Sequence, residues 1–237
     1  MSRPRSFLAA EWRDLLMLNY EIDPAALASR VPAGCELDAW QGRHFVSVVG
    51  FRFLETRVLG IGVPLHRNFD EVNLRFYVRC QVGGEWRRGV VFVREIVPRL
   101  AIALVANRLY SENYIALPMR SEVVAAGRLE YAWKRRGDWE RVSAMVVGPF
   151  SPPSESSEEA FITEHYWGYS RQRHGGTIEY EVEHPPWKVA RAAESKLEAD
   201  IATLYGHEFR EALSGPPSTT FVSDGSQVVV RRGRRLA

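Results

Sequence analysis

The chain has 237 residues, of which 46% are hydrophobic and 25% charged, enough to bury a sizeable core and too apolar for global disorder. Its formal net charge of +2 is too small to point to nucleic acid, and all its basic residues except Lys134, Lys188 and Lys196 are arginines. The longest apolar run, Leu100 to Ala106, is far short of the ~20 residues that cross a bilayer, and Met1 to Ala10 lacks the pattern of a signal peptide.

In chain order, Glu11 to Tyr20 reads as a strand. Asp23-Pro24 then opens a short helix, with Asp as cap and Pro at the first helical position, and Pro32 and Gly34 close it. Leu37 to Trp40 and His44 to Phe53 read as strands joined at Gln41-Gly42. The next strand begins near Phe69, and Gly83-Gly84 turns it into a partner over Trp86 to Val97. Leu100 to Leu109 is apolar, rich in alanine and long enough for a helix. Leu129 to Lys134 and Trp139 to Val147 form a hairpin around Arg136-Gly137-Asp138. Ser156 and Glu159 have the spacing of a capping box, which predicts a short helix through Glu164. Thr177 to Glu183 alternates as a strand, Val189 to Leu204 carries apolar residues at helical spacing, and Thr219 to Val222 with Gln227 to Val230 reads as a terminal hairpin at Asp224-Gly225. The basic end, Arg231-Arg232-Gly233-Arg234-Arg235, reads as a solvated tail. About ten mostly antiparallel strands and three or four helices, without repeat or linker, predict one domain over 1–237, mainly β with some α. A closed antiparallel barrel with helices packed outside fits best.

One stretch organises the rest. From Glu71 onward, Glu71, Asn73, Arg75, Tyr77 and Arg79 share one face of a strand, while Val72, Leu74, Phe76 and Val78 share the other. The polar face carries an acid, an amide, two guanidinium groups and a phenol. Either it is solvated, with the arginines paired to neighbouring strands, or it lines the inside of a barrel and forms a pocket. His66 immediately precedes it and is the histidine best placed to join such a pocket.

No phosphate loop, dinucleotide fingerprint or zinc-binding motif is present, and no two histidines have the spacing of a helical metal site, so neither cofactor nor metal is expected. Cys35 and Cys80 read as separate buried hydrophobes, and the compartment expected is a reduced cytoplasm. None of the three lysines has the burial or adjacent cation in an apolar setting that imine chemistry needs.

Several segments are similar to the YqjF-like family, domain of unknown function 2071: Asn19-Tyr20-x-Ile22-Asp23, Val31-Pro32-x-Gly34-x-x-Leu37-Asp38, Phe69-x-Glu71-Val72-Asn73-Leu74-Arg75-x-Tyr77-Val78, Gly89-Val90-Val91-Phe92, Arg108-Leu109-Tyr110 and Pro118-Met119. The resemblance covers about residues 12 to 230. That family resembles acetoacetate decarboxylase, which implies a cone-like β-barrel with an internal pocket. In the decarboxylase an Arg-containing stretch leads to a lysine pair whose first member forms the Schiff base. The matching stretch here is Asn107 to Ile115, with Tyr114 in place of that lysine and Ile115 in place of its neighbour. The resemblance therefore implies the fold and not the decarboxylation.

The expected ligand is a small polar organic molecule, an anion, held by His66, Glu71, Asn73, Arg75 and Arg108, because guanidinium suits a carboxylate. Two alternatives stay open. One is an enzyme acting on a small keto or carboxylic acid through Glu71 with Tyr110 or Tyr114. The other is a structural or oligomeric protein whose arginines sit in inter-strand salt bridges. A homo-oligomer stays open as well; nucleic acid and membrane are not expected as partners.

Overall fold

Strands dominate, as the alternating segments require. The computed structural model describes residues 6–62, 66–100, 113–124, 127–172 and 175–236. The strands are β1 (Ser6–Glu21), β2 (Cys35–Leu37), β3 (Phe45–Val58), β4 (Ile61–Gly62), β5 (Phe69–Val82), β6 (Glu85–Val97), β7 (Tyr114–Ala116), β8 (Met119–Val123), β9 (Arg128–Arg135), β10 (Asp138–Val146), β11 (Trp167–Arg171), β12 (Thr177–Glu183), β13 (Val189–Glu198), β14 (Thr219–Arg231) and β15 (Arg234–Arg235). The helices are short: α1 (Pro24–Leu27), α2 (Glu158–Thr163), α3 (Ile201–Leu204) and α4 (Arg210–Ser214).

The hydrogen-bonded order runs β12-β11-β6-β5-β3-β1-β14. It then returns to its start, because β14 pairs with β12 through Val230 opposite Val182 and Val229 opposite Glu183. A branch, β13-β10-β9-β8, leaves β14 on the edge away from β1, at Phe221 to Ser223, toward the other end of that edge from β12. Among the described residues the pairings are antiparallel except where β6 meets β11 and β7.

The period of β5 distributes its side chains between two cores. Val72, Leu74, Phe76 and Val78 pack with Leu16, Leu18, Val46 and Val48 against Tyr131, Trp133 and Val142 of the branch. Two of the polar groups carried into this layer are satisfied there: the Trp133 Nε1–H donates to Glu140 at 2.6 Å and the Tyr131 hydroxyl to the Asp14 carbonyl at 2.7 Å. The opposite face of the same strands belongs to a second core that includes Leu15, Met17, Val49, Phe51, Phe53, Tyr77 and Trp187.

Several expectations need correction: the strand expected over Leu37 to Trp40 is β2, which ends at Leu37 and pairs with β5 rather than β3, and the basic end is no free tail, since Arg231 ends β14 and Arg234–Arg235 pair with β12 as β15. Val189 to Leu204 is a strand, β13, followed by a turn and α3. The i, i+4 spacing of Val189, Ala193 and Leu197 imitates a helix, but pairing with β10 and β14 on either side overrides that local preference. The terminal hairpin is one continuous strand, β14, and Asp224-Gly225 lies within it with Gly225 opposite Arg13 of β1. Cys35 and Cys80 are not separate thiols. They face one another across β2 and β5, with Cα atoms 4.2 Å apart, and form a disulfide that a sequence separation of 45 conceals. The cap of α2 is Ser157, whose hydroxyl accepts from Ala160 N–H, one residue beyond the expected Ser156. The helix expected over Leu100 to Leu109 lies, beyond Leu100, outside the described residues. Among the described residues no helix is long and apolar enough to cross a membrane.

Gly225 has φ of +72°, and a Cβ there would overlap the carbonyl oxygen of Trp12, a backbone atom that cannot turn aside. Gly84, in the β5–β6 turn, has φ of +86° but open space around it. Gly84→Ala should therefore cost about 1 kcal/mol for its backbone conformation alone. Gly225→Ala should cost at least about 2 kcal/mol more, read as the difference in denaturant midpoints at equal slope. Equal losses would contradict the close approach of β14 to β1.

Candidate functional site

The polar face of β5 turns inward. Glu71 is 2% exposed, Asn73 2% and Arg75 8%, and all three line a cavity of ≈ 310 Å³. Alternation explains this directly, since Val72 and Leu74 are committed to the inter-sheet core and their neighbours must point the other way. The cavity wall continues with Glu95 of β6 and Tyr114 of β7. These are brought in by register: Asn73 stands opposite Glu95, and Glu95 opposite Tyr114. Two carboxyl groups and a phenol thus meet beside one amide.

Glu71 accepts from the Asn73 side-chain amide at 3.0 Å and from the Tyr114 hydroxyl at 3.3 Å. Burial pushes its carboxyl up to about 7, against the opposing pull of those hydrogen bonds and of the Arg75 charge. The Tyr114 hydroxyl is held well above its usual range, by burial first and then by the negative charge of Glu71 and Glu95. Near neutral pH the cluster therefore holds a phenol proton together with a carboxyl poised between its two forms.

Arg75 lies further along the strand. Its Nη2 approaches the Ile162 carbonyl of α2 at 3.4 Å and the Met17 sulfur at 3.8 Å, and its guanidinium lies 5.7 Å from the centre of the Tyr77 ring. Among the described residues no carboxylate forms an ion pair with it, and its Nε is buried without a hydrogen-bond partner. A further arginine within hydrogen-bonding reach of Glu71 is the natural expectation for a buried acid, yet amide and phenol take that place. Arg79, grouped with Arg75 on sequence, lies outside: it is exposed, ion-paired to Glu36 and stacked 4.6 Å from the centre of the Trp86 ring. Tyr77 lies deeper, sharing a 2.6 Å hydrogen bond with Ser47.

His66 lines the cavity, and so do His165 and His184. His165 follows α2 and is sealed between Tyr77, 4.7 Å away ring to ring, and Phe161, 5.2 Å away. Its Nε2 lies 3.4 Å from Asp38, which also accepts from Arg88 at 2.7 Å. Burial lowers His165 to about 4, with the Arg88 and Arg75 charges adding to the effect and Asp38 opposing it. Asp38 itself, which burial would raise, is held down at about 2 by hydrogen bonds from His165 and Arg88. The pair is thus a neutral imidazole beside an ionised carboxylate. His184 is lowered to about 4 by burial. It stacks on Trp187 at 4.0 Å, and its Nδ1 donates to the Pro185 carbonyl at 2.9 Å.

Of the residues singled out on sequence, the structure brings His66, Glu71, Asn73, Arg75 and Tyr114 to one cavity, while Arg108 and Tyr110 lie outside the described residues. Sequence reasoning missed Glu95, His165 and His184. Glu95 carried a usable signal, an acid inside the run Val90-Val91-Phe92-Val93-Arg94-Glu95-Ile96-Val97. The histidines carried none, because their burial depends on tertiary packing. None of the three lysines lines the cavity.

A family model described as an uncharacterised conserved protein, domain of unknown function 2071, matches residues 9–227. The uncharacterised protein YqjF of Bacillus subtilis (strain 168) is 27% identical over 198 residues, 81% of this chain and 78% of its own length. Among solved structures, acetoacetate decarboxylase from Legionella pneumophila is similar with a TM-score of 0.69 at 12% identity, covering 100% of this chain and 92% of that one. The enduracididine biosynthesis enzyme MppR complexed with pyruvate has a TM-score of 0.68 at 15% identity, covering 100% and 92%. An acetoacetate decarboxylase-like enzyme from Sphingomonas wittichii RW1 has a TM-score of 0.65 at 13% identity, covering 98% and 94%. At such identities the likeness is one of fold.

The raised carboxyl of Glu71 carries a stability signature. A folded-state value of about 7 against the ordinary 4.5 leaves the folded form unpenalised below pH 4.5, and the stability this confers is lost as pH rises to about 7. Glu71→Gln removes the titration. The variant should therefore gain on the parent progressively between pH 4.5 and 7.5, by a few kcal/mol in denaturant unfolding at the upper end. A difference that stays flat across this range would contradict the buried, titrating acid.

Proposed function

The chain belongs to the domain of unknown function 2071 family, and on that premise we propose that its cavity binds a small organic anion whose carboxylate pairs with Arg75. The observation that carries this reading is a buried arginine, 8% exposed, that lines a cavity, has an Nε without a hydrogen-bond partner and forms no carboxylate ion pair among the described residues. Burying a charge unpaired costs several kcal/mol, and an incoming carboxylate would supply both the missing charge and planar acceptors for the free N–H groups. The strand order that returns on itself supports a closed, cone-like barrel around the cavity, and we read the chain as one domain. The similar MppR is a pyruvate complex, which makes a 2-oxo acid the natural first probe.

A second reading is favoured by the Glu71 cluster, four residues earlier on the same face of β5. A carboxyl raised to about 7, in hydrogen-bond contact with a phenol, can take up or release a proton near neutrality, so the cavity is suited to acid–base chemistry on the bound acid. Imine chemistry is not part of either reading, since Tyr114 stands where the resembling decarboxylases carry the nucleophilic lysine.

Calorimetric titration with pyruvate tests the first reading. Arg75→Gln should weaken binding about 10- to 100-fold, the equivalent of a lost charge-assisted contact of about 1.5–3 kcal/mol. Arg79→Gln, outside the cavity, should leave binding unchanged. Equal binding by the Arg75 variant and the parent would overturn the proposal.

A further inference from the structure

The register of the strands sorts the cavity into two storeys. On β5 and β3, Arg75 lies opposite Ser47 and Asn73 opposite Val49, whereas Phe69 lies opposite Phe53 at the other end of the same ladder. On β1, Trp12 is opposite Phe53 and Met17 opposite Val49. The deep storey therefore holds Arg75, Asn73 and His165, each with a buried polar atom that has no hydrogen-bond partner among the described residues: the Arg75 Nε, the Asn73 Oδ1 and the His165 Nδ1. The outer storey is aromatic. Trp12 sits 5.2 Å from Phe51 and 5.6 Å from Phe53, ring to ring, Phe53 stacks on Phe69 at 4.6 Å, and Trp187 closes the group 6.3 Å from Trp12. These are the separations at which rings attract one another by offset stacking and edge-to-face contact, so the storey presents faces and edges suited to one more ring. A volume of ≈ 310 Å³ is at the small end for a ligand cavity and is ample for a single ring on a short chain.

We propose that the ligand is an aromatic carboxylate, a single ring joined by a short chain to its acid group, with the ring held among Trp12, Phe53 and Phe69 and the carboxylate on Arg75. This rests on the anion-binding reading and adds the class of molecule. The ring fills the outer storey and the acid reaches the deep one. A saturated ring of equal carbon count is thicker and has no π face to offer, and a two- or three-carbon acid leaves the outer storey without contact.

The test is calorimetric titration of the full chain with sodium 3-phenylpropanoate, 3-cyclohexylpropanoate and pyruvate. The phenyl acid should bind about tenfold more tightly than the cyclohexyl acid, the equivalent of one aromatic contact of up to about 1.5 kcal/mol, and more tightly still than pyruvate. Phe53→Leu and Phe69→Leu, each checked for folding by circular dichroism, should narrow the gap between the two ring acids and leave pyruvate unaffected. Equal or tighter binding of the cyclohexyl acid overturns the aromatic assignment, and so does pyruvate binding as well as the phenyl acid. In either case, binding that still depends on Arg75 leaves the anion reading intact. If none of the three acids binds in an Arg75-dependent way, both fall together.

Discussion

Everything in this molecule follows from how β5 spends its two faces. A strand of period two inside a strand order that returns on itself has nowhere to put a wet face. Val72, Leu74 and Phe76 go to the layer that these strands share with the branch, so Glu71, Asn73 and Arg75 are carried out of water with them. Desolvating ionic groups costs several kcal/mol each unless they are paired. The two ionic groups on the strand meet that cost differently. Glu71 is relieved by an amide, a phenol and its own raised proton affinity. Arg75 cannot shed its charge, and among the described residues its guanidinium is approached by a carbonyl, a sulfur and an aromatic face, with the Glu71 carboxyl acting on it through space and without an ion-pair contact. The asymmetry gives the cavity its polarity, a proton-exchanging end and a cationic end on one strand.

The groups that complete the cavity come from elements distant in sequence, and pairing or packing positions each of them. The parallel docking of β7 on β6 lines up Tyr114 with Glu95. The end of α2 supplies the Ile162 carbonyl to Arg75, and His165 follows two residues after the helix. His165 is itself steadied by Asp38, which leans on Arg88. That imidazole is neutral, so it adds no second positive charge beside Arg75, and the guanidinium remains the cationic group deep in the cavity.

Much of this was legible in the sequence where a local rule and the tertiary structure agree. The alternation at Glu71 to Arg79 specified a two-faced strand, Gly83-Gly84 its turn and Asp23-Pro24 the start of a helix, and all three are found. The inward face was legible up to Tyr77. Arg79 continues the same alternation but lies near the end of the strand, where Glu36 of β2 meets it in water. What sequence patterns could not convey was pairing at long range. The apolar spacing of Val189 to Leu197 looks helical until β10 and β14 are placed on either side. Asp224-Gly225 looks like a turn until β1 runs beside it. Cys35 and Cys80 look unrelated until β2 lies on β5. The burial of His165 and His184 is likewise a property of the assembled wall and not of any segment.

The central claim is that Arg75 is a buried cation kept for a ligand and not a partner in an internal ion pair. The most direct measurement is the unfolding temperature of Arg75→Met in ligand-free protein. Replacing an uncompensated buried charge with an apolar side chain of similar length should raise stability, by about 1–4 kcal/mol, and should abolish any stabilisation that added carboxylate gives the parent. A loss of several kcal/mol in the variant would mean that the guanidinium holds the fold together, and would contradict the account.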